Sequence, residues 1–191
     1  MRELIWELCK LPGVSGDEGR VRAWIINQIE GHCTWKVDPL GNLIAYKTGR
    51  NRAKNRVMLS AHMDEVGFII TDIAEDGRLR FAPVGGIDPR VVLGRRVYVG
   101  EKALPGVIAA KPVHQLTKEQ KSEIPKIEDM RIDIGADSAE QAREHVQAGD
   151  CAVFHSDSTA FGDGFLVSKA LDDRAGCALL IDLIRSPLAY D

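Results

Sequence analysis

No apolar run in these 191 residues approaches the roughly 20 needed to cross a bilayer. The opening stretch Met1-Arg2-Glu3-Leu4-Ile5-Trp6-Glu7 carries acidic residues where a secretory leader needs continuous apolar ones. Together these absences predict a cytoplasmic protein with no membrane contact. A strong charge of either sign is also missing: a net charge of −3 creates no field that calls for nucleic acid or an anionic surface. Cys9, Cys33, Cys151 and Cys177 form no CxxC pair, so neither a structural zinc spacing nor a redox motif is present, and buried free thiols are expected. No internal repeat and no low-complexity tract occurs.

What is present is ordinary globular usage, 45% apolar and 28% charged, in a chain long enough for one core or two small ones. Leu4, Ile5, Leu8 and Leu11 keep helical spacing up to Pro12-Gly13, and Val21, Trp24, Ile25 and Ile29 do so after Ser15-Gly16-Asp17-Glu18. Short strands are predicted at 35–37, 42–46 and 57–61, with Pro39-Leu40-Gly41 turning between the first two. The third, Val57-Met58-Leu59-Ser60-Ala61, is apolar enough to lie inside a sheet covered on both faces.

From residue 68 the pattern changes to short β runs broken by glycine and proline, at 68–73, 79–81, 96–99, 106–110, 130–134 and 151–154, with one helix at 138–146. Such spacing predicts a small barrel or sandwich. Helical spacing returns with Ala175, Leu179, Leu180, Leu183 and Ile184. The fold class predicted is α/β: a partial catalytic domain with a central mixed sheet flanked by helices, at 1–67 and 161–191. A barrel-like β domain at 68–160 interrupts it.

Residues two apart on an extended strand point to one side, so His62 and Asp64 can project together from the C-terminal end of the run beginning at Val57. Open α/β sheets place their ligand crevices there. A neutral imidazole is a good ligand for a divalent ion, and a carboxylate on its other nitrogen fixes the tautomer. The alternative is a hydrogen-bonded structural histidine. Asp172 and Asp173 precede a helical run, so either could cap it, while a carboxylate there could instead bridge two cations about 3.5–4 Å apart.

Other features carry less. Arg50, Arg52, Lys54 and Arg56 lack interleaved aromatics and read as a solvated hairpin tip, not a nucleic-acid site. His32-Cys33 has no supporting acid or base for thiol chemistry. Val84-Gly85-Gly86-Ile87-Asp88 lacks dinucleotide-site spacing, and His114 and His155 are isolated.

Six motifs in order carry a resemblance. Leu11-Pro12-Gly13-Val14-Ser15-Gly16, Asp38-Pro39-Leu40-Gly41-Asn42-Leu43, Ser60 through Gly67, Val84 through Arg90, Asp133-Ile134-Gly135-Ala136 and Ser168 through Arg174 together resemble the tetrahedral (TET) dinuclear-metal aminopeptidases. The resemblance implies a cytoplasmic exopeptidase that removes N-terminal residues from peptides with two divalent ions, zinc or cobalt, inside a homo-oligomeric dodecamer. It implies that the insertion mediates subunit association. By motif match, His62 would bind one metal, Asp172 would bridge both, and Asp64 would support the catalytic centre.

The family pattern continues past the aspartate matched by Asp172 with paired glutamates, a further acidic ligand and a second histidine. The last glutamate here is Glu144. An isolated polypeptide of these residues is therefore expected to have little or no peptidase activity. The alternatives are a non-catalytic self-association module and, since members of this family have been labelled cellulases, a glucanase-like hydrolase.

Overall fold

The computed structural model describes residues 1–55, 57–118 and 122–190. The chain divides into two compact units, Met1–Glu65 with Ser156–Asp191, and Val66–His155. Arg56 of the basic cluster lies outside the described residues.

The first unit is built on three helices. Helix α1 (Arg2–Lys10) ends where Leu11 turns extended, at φ −68° and ψ 136°, because a residue preceding proline is pushed out of the α region. Helix α2 (Gly19–Ile29) buries Val21, Ile25 and Ile29. Helix α4 (Leu171–Arg185) buries Arg174, Cys177, Ala178 and Ile181. Leu8, Val21, Ile25, Ile29, Cys177, Ala178 and Ile181 form one core cluster.

Strands β1 (Thr34–Val37) and β2 (Leu43–Tyr46) pair antiparallel, Val37 opposite Leu43. The turn between them is tied by Asp38, whose carboxylate accepts from the amides of Leu40 and Asn42 at 3.0 and 2.9 Å. Gly41 there has φ +88°, a value at which a side chain would be strained.

The strand expected over 57–61 does not form. Val57, Met58 and Leu59 are 81%, 89% and 57% exposed, and β1 and β2 pair only with each other. An apolar run without a neighbouring strand on either side has no ladder to join, so a pattern suited to a sheet interior stays extended and bare. The sheet of this unit is thus a two-stranded ribbon. A second antiparallel ribbon, β9 (Thr159–Phe161) with β10 (Phe165–Val167), forms where no strand is expected.

The second unit is a closed six-stranded antiparallel barrel. Its strands are β3 (Gly67–Ile73), β4 (Leu79–Val84), β5 (Arg96–Val99), β6 (Leu104–Ala109), β7 (Arg131–Asp133) and β8 (Cys151–Phe154), in spatial order β3-β4-β7-β6-β5-β8. Pairing of Phe68 with Ala152 closes the ring and leaves no open edge. Alternation along β5 sends Val97 and Val99 inward and Arg96 and Tyr98 outward. Inside, the Phe68 ring meets Phe81 and Phe154 edge-on at 4.9 and 5.1 Å. Helix α3 (Ala139–Arg143) starts at Ser138, whose hydroxyl accepts from the Gln141 amide, and ends sooner than the 138–146 expected. Gly77 is required at its turn, because a Cβ there would sit 2.7 Å from the Ala136 carbonyl oxygen.

Candidate metal centre

Three side chains from two distant stretches of the first unit converge. His62 Nδ1 lies 2.8 Å from Asp64 Oδ1, and His62 Nε2 lies 3.0 Å from Asp172 Oδ1. The imidazole therefore has a carboxylate on each ring nitrogen. The second oxygen of Asp64 accepts a short hydrogen bond from the Ser15 hydroxyl. The His62 carbonyl accepts from Cys177 Sγ at 3.3 Å, fastening the histidine's backbone to α4.

The adjacent aspartates separate two roles that sequence alone left open. Asp173 accepts from the Gly176 amide at 3.0 Å and so does the capping. A side chain at 176 would displace the Asp173 carboxylate, since a Cβ would lie 2.5 Å from it. Asp172, at non-helical φ −89° and ψ 104°, turns its carboxylate to His62 and is 95% solvent-exposed. The Asp172–Asp173 peptide is cis.

Electrostatics follows from this packing. Partial burial opposes the imidazolium, but hydrogen bonds to Asp172 and Asp64 outweigh it and raise the His62 pKa. The Ser15 hydrogen bond, against partial burial and with help from His62, holds the Asp64 carboxyl below its ordinary value. A proton on Nε2 would face Asp172, and an ion binding at that nitrogen would have to displace it.

Beneath the site lies a buried ionic cluster that the sequence reading did not single out. Glu65 Oε1 accepts from Lys169 Nζ at 2.6 Å and from Arg174 Nη2 at 3.2 Å. Arg174, wholly buried, also donates to Met63 O at 3.1 Å, to Leu8 O at 2.7 Å and, more closely, to Leu11 O. Burial lowers the Lys169 pKa and Glu65 opposes the shift. Ser15, Glu65, Lys169 and Arg174 all fall inside the quoted motifs, which was the one signal that could have found them. Their roles depend on contacts across 49 residues for Ser15 with Asp64 and more than a hundred for Glu65 with Lys169 and Arg174.

Beyond the Cys177 contact with the His62 carbonyl, the thiols of Cys9, Cys33 and Cys177 offer no nucleophile. Burial, with Asp173 nearby, pushes the Cys177 thiol up to about 11, and burial also raises Cys9 and Cys33, which favours inert thiols over nucleophiles. His155 packs its ring against Tyr98 in the barrel unit, and His114 lies on a short turn there. Asp88 caps a single turn through the Arg90 amide at 2.9 Å instead of facing a dinucleotide. Among the described residues no group of three or more His, Cys, Asp or Glu side chains gathers as a metal cage.

No described helix is long and apolar enough to cross a membrane. In sequence and fold the chain is similar to an endoglucanase of Thermotoga maritima, at 45% identity and a TM-score of 0.85 over 98% of this chain and 56% of that one. It is similar to the TET1 peptidase of Pyrococcus horikoshii, which assembles into a tetrahedron or a large octahedral shell. The identity is 41% and the TM-score 0.86, over 96% of this chain and 55% of that one. It is 32% identical to the glutamyl aminopeptidase of Lactococcus lactis over 184 residues, 93% of this chain and 52% of the relative. The chain spans about half the length of the curated relatives it matches. Residues 41–188, which carry His62, Asp64 and Asp172, match the M42 glutamyl aminopeptidase family, and to that family this chain belongs.

Proposed function

We propose that this chain supplies the histidine side of a two-ion aminopeptidase centre that releases N-terminal residues from peptides in the cytoplasm. The observation that carries the reading is His62 held between two carboxylates, one on each ring nitrogen. Two ligands each about 2.0–2.1 Å from one ion lie about 2.9–3.4 Å apart at angles of about 90–110°. The 3.0 Å from His62 Nε2 to Asp172 Oδ1 lies within that spacing. When bound, the ions would lower the pKa of water and polarise the scissile carbonyl.

The chain's own residues prepare for this. Asp64, 2.8 Å from Nδ1, would accept from Nδ1–H and so fix the tautomer that leaves Nε2 free to bind an ion, and Ser15 holds Asp64 in turn. Exposure of Asp172 leaves its second oxygen open to a second ion, the bridging role. Nitrogen and oxygen donors of this kind suit zinc or cobalt. These donors form only part of a set, so the further ligands and the proton-transferring glutamate belong to the half of an M42 chain that these residues do not span. A polypeptide of these 191 residues alone is thus expected to be inactive or nearly so. Self-association through the barrel unit completes the proposal, supported by the shell assembly of the Pyrococcus relative.

Glycoside hydrolysis, the activity named for the Thermotoga relative, uses two carboxyl groups flanking the scissile bond, and a histidine-centred donor set favours peptides. The test is Co²⁺ titration of the chain followed through the His62 ring protons. Paramagnetic shifts of that ring that weaken in Asp172→Ala support the metal centre, whereas an unmoved His62 in the unaltered chain overturns it. Efficient N-terminal release by the 191-residue polypeptide, or chelator-resistant cleavage of a glucan, would refute the division of labour or the substrate class respectively.

A further inference from the structure

The proposed chemistry leaves the Glu65–Lys169–Arg174 cluster without a role. Its side chains are 4%, 11% and 0% exposed. Stripping three charges of water is costly, and apolar side chains of similar volume often stabilise a fold as well. Burial alone therefore does not account for these residue types.

Their places along the chain do. Glu65 directly follows Asp64 and lies three residues beyond His62, while Lys169 and Arg174 stand on either side of Asp172. Arg174 Nε also holds the carbonyl of Met63, the residue between His62 and Asp64. One carboxylate and two cations thus tie the segment bearing His62 to the segment bearing Asp172. The cluster carries one positive charge more than negative. That excess is met by the carbonyls of Leu8 and Leu11, where α1 ends and the helix's partial negative charge lies. Helix α1 is accordingly a third anchor of the clamp.

We infer that Glu65 is a positioning residue: by holding Lys169 and Arg174 at once, it sets the spacing of His62 and Asp172 and thereby the affinity for a divalent ion. The inference rests on the metal reading above and deepens it. Glu65 touches no reacting atom. Outer partners of metal ligands commonly change affinity by about 10–100-fold when replaced. Glu65→Gln keeps the side chain's shape and leaves two buried cations facing a neutral amide.

The experiment uses the 191-residue chain with two readouts. The first, without metal, is the pair of His62 ring nitrogen shifts in long-range ¹H–¹⁵N spectra. The second is the apparent Kd for Co²⁺, from paramagnetic shifts of the same ring. At a temperature where tryptophan emission reports a folded first unit, Glu65→Gln should move both ring nitrogens toward free-imidazole values. Its Kd should rise by about tenfold or more. Lys169→Met should show a smaller rise, and Lys169→Arg should recover most of it. A lower melting temperature in Glu65→Gln with unchanged ring shifts and a Kd within about twofold would reduce the cluster to a structural clamp and overturn the inference. If the unaltered chain shows no Co²⁺ shift at His62, the metal reading fails while the metal-free ring shifts still decide the positioning role. Should Glu65→Gln not fold, Lys169→Met carries both readouts.

Discussion

Arg174→Met probes how far the first unit depends on a buried charge. The guanidinium is fully shielded from solvent and donates four hydrogen bonds, to Met63 O, Leu8 O, Leu11 O and Glu65 Oε1. Methionine has a similar flexible stem and offers none of them. Not every partner is orphaned by the change. Glu65 keeps Lys169 at 2.6 Å, Leu11 O keeps Lys169 at 2.9 Å, and Leu8 O keeps the Leu11 amide at 3.2 Å. Removing one partner of a buried pair costs about 3–5 kcal/mol when the other charge is stranded. Here the surviving lysine puts the expected loss near the lower end, about 3 kcal/mol.

That is a large part of the roughly 5–15 kcal/mol that holds a domain folded. The assay is urea denaturation followed by tryptophan emission. Trp6, Trp24 and Trp35 are the only tryptophans and all lie in the first unit, so the signal ignores the barrel. With an m-value of about 1–3 kcal/mol/M, the midpoint should fall by about 1–3 M. A shift worth less than about 1 kcal/mol, the range of solvent-exposed pairs, would refute the claim that the cluster is dry and structurally required.

Two further outcomes are expected. Phe68→Ala removes a fully buried ring that contacts two others and should destabilise the barrel by about 3–5 kcal/mol, seen as lost amide-exchange protection across Val66–His155; a loss under about 1 kcal/mol would mean that these rings are not its core. The second concerns pH. Because the folded chain raises the His62 pKa, the resulting stability is fully present below the ordinary imidazole value of about 6.5 and is lost as pH rises through the folded value. In metal-free protein, Asp172→Asn should lower the His62 midpoint in an NMR titration, and an unmoved midpoint would show that the 3.0 Å contact is not maintained in solution.

How much of this was legible beforehand varied with what each element needs. Helices α1 and α2 depend mainly on one apolar stripe, which the spacing of Leu4, Leu8, Val21 and Ile25 displays directly. In α4 the expected face of Ala175, Leu179, Leu180, Leu183 and Ile184 is not the buried one: the helix buries Arg174, Cys177, Ala178 and Ile181 and leaves Leu179 59% exposed, because a helix apolar on two sides does not show in its spacing which side packs. The barrel strands were visible as short β runs set off by glycine and proline, and β5 also alternates. Strand β6 was read two residues short at its start, since Pro105 counts against a strand, although it pairs with Tyr98. The ribbon β9–β10 is mostly exposed, so no alternation marks it. The opposite error at 57–61 has the same root: an apolar run predicts a strand only if partners exist, and partners are a property of the fold.

The candidate centre divides along the same line. Residue types and the i, i+2 spacing made His62 and Asp64 legible as a pair, but the contact with Asp172 crosses 110 residues, and only the resemblance linked them before the fold did. Buried charge was the harder case. Nothing in the composition of Glu65, Lys169 or Arg174 distinguishes them from the solvated charges that make up most of the charged residues. Their burial becomes tolerable only once the C-terminal carbonyls of α1, a carboxylate and two cations meet at one point. The segments brought together there are the ones that carry His62 and Asp172. In this fold, the contacts that make the buried charges bearable also bring the candidate ligands into register.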